Sequence, residues 1–333
     1  MKTISKCLLV LFVFLGTLSF AQQYYDVQWK KIAEGYKNGE FKSSLPLILE
    51  IQKKAIKDNN APQLIKSLKA EFGIYKETHD DTKNDYASAF FRKIKETETQ
   101  LKNNDLLFFK ILEIEFFEEY FNRTRYEIQN RTNTAEGTIF EIETWTKLDY
   151  KNYYTQKFAE LLLLDAKLKN VKLEFYKEAL GENADYDYYP TLYDWKLKKN
   201  IDFLNNQAVF TKDELVANRA DIKSLYENLI SFNKGNPQLY FQHQKLMFEN
   251  NIKTDDKFLQ KQIDIVNSPE NGEYKILIVK SIAQELQQKS EFKEAIRWIE
   301  KIKAEYPNSK LLSNLVYLEN TIKQPFVGVF YEE

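Results

Sequence analysis

Residues 276–309 read ILIVKSIAQELQQKSEFKEAIRWIEKIKAEYPNS, and two helical faces separated by a turn stand out in them. Ile276, Val279, Ile282, Ala283 and Leu286 recur at three- and four-residue spacing, which lays them along one side of a helix. Gln288-Lys289-Ser290-Glu291 is a polar turn. Phe292, Ala295, Ile296, Ile299 and Ile302 then form a second apolar face. Tyr306-Pro307-Asn308-Ser309 ends that helix, because proline lacks the backbone donor and clashes with the preceding turn. Ala283 and Ala295 place a small residue in each helix, which lets the two axes approach closely. The run from Ala283 through Ala295 to Pro307 fits the tetratricopeptide pattern of small residues at the crossing and a closing proline. A third helix from Leu311 to Ile322 offers Leu311, Leu312, Leu315, Leu318 and Ile322 as cover for the hairpin.

Working outward, a weaker copy of this arrangement lies near the start of the chain. Trp29, Ile32 and Ala33 lead to the turn Lys37-Asn38-Gly39-Glu40, followed by Phe41, Ser44, Leu45, Ile48, Ile51 and Ile56. Gly39 suits the turn, and Pro46 falls in the first turns of its helix, where proline is tolerated. Asn59-Asn60 closes this helix, and Pro62 opens the next around Leu64, Ile65 and Leu68. Between the two copies, Asp105 is expected to cap a helix that is apolar on most sides from Leu106 to Phe121. Such a helix must be buried by neighbours. Residues 130–137 read as a loop, and Asp149 as the cap of a helix with Tyr150, Tyr153, Tyr154, Phe158, Leu161 and Leu162 inward. Residues 181–190 read as an aromatic-rich loop. Asn122-Arg-Thr and Asn130-Arg-Thr fit a glycosylation sequon, which matters only in a glycosylating host.

Only nine glycines and seven prolines punctuate 333 residues, and helix formers dominate the stretches between them. The expected fold is all-α: stacked antiparallel hairpins forming a tetratricopeptide-like α-solenoid. The expected segments are 22–137 (N-terminal repeats), 138–210 (central helices), 211–324 (C-terminal repeats) and 325–333. That last segment, with alternating apolar residues from Phe326 to Tyr331, is expected to begin a β-sandwich.

The first 21 residues have the layout of a secretory signal peptide. Lys2 and Lys6 precede an apolar stretch from Leu8 to Leu15, and Ser19 and Ala21 suit cleavage after Ala21. The protein is therefore expected to be exported, periplasmic or secreted. It is not expected to be a lipoprotein, since Cys7 lies before the apolar stretch rather than after it. Cys7 is the one cysteine, and its removal would rule out disulfides, zinc thiolates and a cysteine nucleophile in the mature chain. His79 and His243 are the two histidines, each in a polar helical setting of the kind typical of surface or cap positions. No phosphate-binding glycine loop is present. The whole chain carries 48 basic and 49 acidic residues, and without Lys2 and Lys6 the balance is 46 to 49, or about −3. A surface so nearly neutral is a poor match for nucleic acid. No later apolar run approaches membrane-spanning length.

Taken together, these residues resemble the N-terminal helical region of Bacteroidetes-type alpha-2-macroglobulin family proteins. Three segments carry the likeness: Gln28-Trp29-Lys30-Lys31-Ile32 with Gln63 to Leu68; Thr144-Trp145 through Tyr189-Pro190-Thr191-Leu192-Tyr193-Asp194-Trp195; and the final hairpin to Ser309. Pro190-Thr191-Leu192-Tyr193-Asp194 is the most specific string. The family pattern would place an alanine and a histidine-arginine pair after it, where this chain has Lys196-Leu197-Lys198-Lys199.

The resemblance implies an exported, non-catalytic helical platform in a protein whose family role is endopeptidase inhibition by protease trapping. Its partners would be sandwich domains of the same or a split polypeptide, and proteases; no cofactor is implied. Family members are much longer, so a fragment or one piece of a split protein is expected. The internal thioester found in some members is closed to a mature chain without cysteine. The alternative is a stand-alone tetratricopeptide-like scaffold gathering cell-envelope proteins by protein–protein interaction. A glycan-binding or glycan-degrading reading rests on Tyr186, Tyr188, Tyr189, Tyr193 and Trp195, with Asp185/Asp187 or Glu118/Glu119 as paired carboxylates. For those rings packing is favoured over ligand binding, and no enzyme constellation emerges.

Overall fold

The computed structural model describes residues 22–78, 86–129, 131, 141–181 and 184–327. The expected leader with its terminal Ala21, His79, and most of the loop 130–137 lie outside these. The fold is all-α: among the described residues there is no strand, only an isolated bridge between Lys172 and Thr191. The expected terminal strand lies largely beyond residue 327, and its first residues, Phe326 and Val327, close a helix instead. The chain divides into two compact units, 1–184 with 191–193, and 185–190 with 194–333.

The first unit opens with α1, described over 22–37, and α2 (Phe41–Asp58). Gly39 turns between them at φ +75°, a conformation that costs glycine little. Gly35 lets the two helices close, since a Cβ there would lie 2.8 Å from Ser44 Oγ. Asn59 ends α2 in the left-handed conformation, and Asn60 Oδ1 accepts the Gln63 backbone N–H at 3.2 Å to start α3 (Ala61–Thr78). Next come α4 (Tyr86–Gln100) and α5 (Asn103–Gln129), the latter buried around most of its circumference as its composition requires. Rings from three helices interlock: Phe72 stacks on Phe90 at 5.1 Å, and Phe91 meets Phe117 at 3.9 Å.

α6 (Lys147–Leu162) corrects one expectation. Its N-cap is Thr146, and Asp149 is the third helical residue, whose Oδ2 accepts the Thr146 N–H at 2.8 Å. A carboxylate at that place completes a reciprocal capping box. Short helices α7 (Asp165–Leu168) and α8 (Lys177–Leu180) follow. Three expected inward residues point out: Ala33, Ile56 and Leu162 are exposed.

The segment 181–190 is not a plain loop, because Ala184–Tyr188 forms a 3-10 turn. From it α9 (Leu192–Leu204) runs on, with Leu192, Leu197 and Ile201 buried. The second unit continues through α10 (Lys212–Phe232), α11 (Asn236–Ile252), α12 (Phe258–Asn267), α13 (Lys275–Gln288), α14 (Phe292–Glu305) and α15 (Ser313–Val327). α13 and α14 form the expected hairpin, with Ala283 and Ala295 wholly buried and Pro307 in the exposed turn after α14. α15 packs on both through Leu315, Leu318 and Ile322. Leu311 and Leu312 lie in a preceding 3-10 turn.

Turns in this unit are tied to one another by side chains. Asn236 Oδ1 accepts the Tyr274 N–H at 2.9 Å, Tyr306 Oη donates to Asn271 Oδ1 at 2.8 Å, and Ser309 Oγ donates to Glu273 Oε2 at 2.7 Å. Gly272 permits the first of these contacts, since a Cβ there would collide with Asn236 Oδ1.

Candidate functional site

The residues that carry the sequence resemblance are held by the scaffold. Leu192 donates its N–H to the Val171 carbonyl at 2.9 Å, Thr191 forms the bridge to Lys172, and the Lys169 ammonium lies 4.6 Å from the centre of the Tyr193 ring. Asp194 is completely buried, and Asn233 Nδ2 donates to its Oδ1 at 2.6 Å. Pro190 alone of the five is exposed. Trp145 is buried against Phe117, with ring centres 5.5 Å apart. Trp29 Nε1 donates to Gln63 Oε1 at 2.7 Å, and Gln63 Nε2 to Glu178 Oε1 at 3.0 Å, joining α1, α3 and α8.

Two buried carboxylates in the first unit were not anticipated. Glu71 of α3 accepts from Gln52 of α2 at 2.7 Å, from Lys93 of α4 at 2.6 Å and from Tyr75 at 3.1 Å. That carboxylate is the main neighbour, after burial, in pushing the Tyr75 hydroxyl up to about 12. Glu113 of α5, with no exposure, meets Lys95 of α4 at 2.5 Å, Lys157 of α6 at 3.0 Å and the Tyr153 hydroxyl. Burial works against the Lys157 ammonium, but the Glu113 charge and hydrogen bonds outweigh it and hold Lys157 protonated above the ordinary lysine range. The signal was present in the sequence. A glutamate among the apolar residues 111–117 of an all-round apolar helix has to be buried, and then needs partners.

Apart from Tyr193, which belongs to the first unit, the aromatic cluster belongs to the second unit and is mostly core. Tyr188 stacks on Tyr240 at 4.7 Å, Tyr189 and Tyr240 share a hydrogen bond at 3.1 Å, and Tyr274 lies 5.4 Å from Tyr240. Trp195 is buried and meets Tyr186 edge-on. Burial, more than any neighbour, pushes the hydroxyls of Tyr189, Tyr240 and Tyr274 well above their usual range. They titrate too high for acid–base work near neutrality.

His243 is not the surface or cap residue its setting suggested. It is buried beside this cluster, with Nδ1 3.2 Å from the Tyr274 hydroxyl. Burial pulls its pKa down to about 4, so it is neutral at pH 7. Of the paired carboxylates, Asp185 and Asp187 are exposed and Glu118 and Glu119 half-buried.

A cleft of about 660 Å³ opens in the first unit where α2 meets α3 and α4 meets α5, with the 3-10 turn Leu173–Tyr176 on its side. Its lining mixes amides from Asn59, Gln100, Asn103 and Asn104 with the exposed ring of Phe175. At its base Tyr176, stacked on Phe108 at 4.0 Å, donates its hydroxyl to Asp105 Oδ1 at 2.8 Å. Asp105 is the third residue of α5 rather than the cap expected of it, because the helix begins at Asn103, and it also anchors this wall. The cleft is not legible in the sequence because its residues come from three separate turns.

Among the described residues no three His, Cys, Asp or Glu side chains are placed to hold a metal ion, and no helix is long and apolar enough to cross a membrane. No protein-family model, curated protein or solved structure matches the chain.

Proposed function

We propose that this chain is a non-catalytic helical platform in an exported alpha-2-macroglobulin-like protein, positioning further domains or partner proteins. The observation that carries this reading is where the Pro190–Asp194 string is used. Its backbone and side chains are committed to Val171, Lys172 and Asn233, and Asp194 is sealed from solvent. A string spent on internal bonds supports a role in building the scaffold. The tyrosine cluster points the same way, since its hydroxyls are paired within the core and held far from useful acidity.

The test uses residues 22–333 incubated with serine, cysteine and metalloproteases. The expected result is unchanged cleavage of both large and small substrates, since capture would need a cleavable bait and further domains. Near-stoichiometric loss of large-substrate cleavage with small-peptide cleavage retained would make this segment an inhibitor in its own right and sink the platform reading. The coding sequence after codon 333 gives a second check. Continuation into sandwich-type strands is expected, and a stop there would favour the stand-alone envelope scaffold.

A further inference from the structure

The cleft between the α2–α3 and α4–α5 turns combines three features that no packing requirement explains. First, the side-chain amides of Asn59, Gln100, Asn103 and Asn104 line it without a hydrogen-bond partner among the described residues. Asn59 and Asn103 occupy left-handed backbone positions, at φ +52° and +51°, which asparagine tolerates, so their presence has a conformational reason. Gln100 and Asn104 have no such reason. Second, Phe175 presents a ring that is 69% exposed and stacks on no other ring among the described residues. Third, the electrostatics cancel. The C-terminal ends of α2 and α4 and the N-terminal ends of α3 and α5 bring opposite partial charges to the same place. Lys102 and Asp105 add one charge of each sign.

Those features select the ligand. A phosphate, sulfate or acidic peptide would want helix N-termini and cations without the opposing ends. A greasy ligand would not want several open amides, each of which would be desolvated without a partner. Amides donate and accept at adjacent atoms, as hydroxyls of a sugar ring do, and an exposed ring offers a flat apolar surface to the C–H face of that sugar. The cleft volume falls within the range of about 300–1,000 Å³ typical of small-ligand sites. An extended peptide fits less well, because its backbone needs amides spaced along a groove, and here they converge on a single recess.

We infer that this cleft binds a neutral carbohydrate segment, with Phe175 as the stacking platform and Asn59, Gln100, Asn103, Asn104 and the free oxygen of Asp105 as hydroxyl partners. The inference does not rest on the platform role, since the cleft lies within the first unit and shares no residue with the Pro190–Asp194 string.

The experiment titrates the mature chain with maltohexaose, laminarihexaose, cellohexaose and chitohexaose. It reads saturation-transfer NMR together with calorimetry. Saturable binding to at least one of them is expected. Phe175→Ala should weaken it about tenfold, the size of one lost stacking contact. Asn104→Ala should weaken it as well, by a smaller factor. Both side chains are exposed and unpartnered, so unfolding midpoints should not move. Absence of saturable binding at millimolar concentrations overturns the inference. So does binding that Phe175→Ala leaves intact, or saturable binding of a random peptide pool in place of the sugars.

Discussion

Two sets of buried polar groups, one from each unit, are held in different ways. The set in the first unit carries full charges: Glu71 and Glu113 sit at 2% and 0% exposure, each bonded to a lysine of a neighbouring helix. The set around Tyr240 in the second unit consists of hydroxyls and an imidazole, with Tyr189, Tyr240, Tyr274 and His243 paired among stacked rings. The two respond differently to damage. A buried carboxylate is tolerable only while its partners remain, so removing one side leaves an uncompensated charge in the core. A buried tyrosine stays neutral and loses little when a hydrogen bond is weakened. His243 is the exception in its set, because it can be forced to charge by acid.

The largest effect should come from breaking the first unit's charge cluster. Glu113→Ala leaves Lys157 buried opposite a void, and should cost about 3–5 kcal/mol. The double variant Glu113→Leu/Lys157→Met should recover most of that loss, because Lys95 can still pair with Glu98, 3.3 Å away. Urea unfolding measures both. A Glu113→Ala protein with the parent midpoint would show that the charges are not a unit.

A smaller effect separates the units by pH. The folded pKa of His243, near 4, lies below the unfolded value of about 6.5, so the unfolded state binds the proton first as pH falls. Stability is therefore complete above about pH 6.5 and declines toward pH 4, by about 2 kcal/mol at pH 5. In the first unit, Asp58 and Glu98 are held below the usual carboxylate range, with burial outweighed by Lys54 and Tyr25 for Asp58 and by Lys110 for Glu98. Their contribution persists until pH falls below that range. Hydrogen exchange read separately over each unit should show protection falling in the second between pH 7 and 5 and holding in the first. His243→Gln should flatten the second unit's response, and an unchanged slope in that variant would refute the assignment.

The smallest effect tests a feature the units share. Thr146 and Thr211 each close a capping box, with Asp149 and Glu214. Thr146→Ala and Thr211→Ala should each cost about 1 kcal/mol. A much larger loss at Thr146 would mean that its cap couples to the aromatic core beside Trp145.

The all-helical fold and the hairpin 275–305 were legible because apolar residues at helical spacing, small residues at a crossing and a closing proline are local signals. The same rule placed α5 in the core from its composition alone. Boundaries are less legible: aspartate serves equally well as a cap and as the third residue of a capping box, so Asp149 alone does not fix where α6 begins. The burial of His243 is hidden because its sequence neighbours are polar, while its partner Tyr274 lies 31 positions away. The open cleft was illegible for a related reason, as each of its amides looks like an ordinary turn residue until three turns are brought together.

Periodicity, turns and the excess of apolar faces that forces helices to pack are thus written in the order of residues alone. Which buried charge meets which partner, why Gly272 must lack a Cβ, and where the cleft amides collect depend on the folded chain. The cause is range. Helix spacing is set within a few residues by backbone geometry, whereas the cost of a buried charge or an unfilled amide depends on groups brought together from distant parts of the chain.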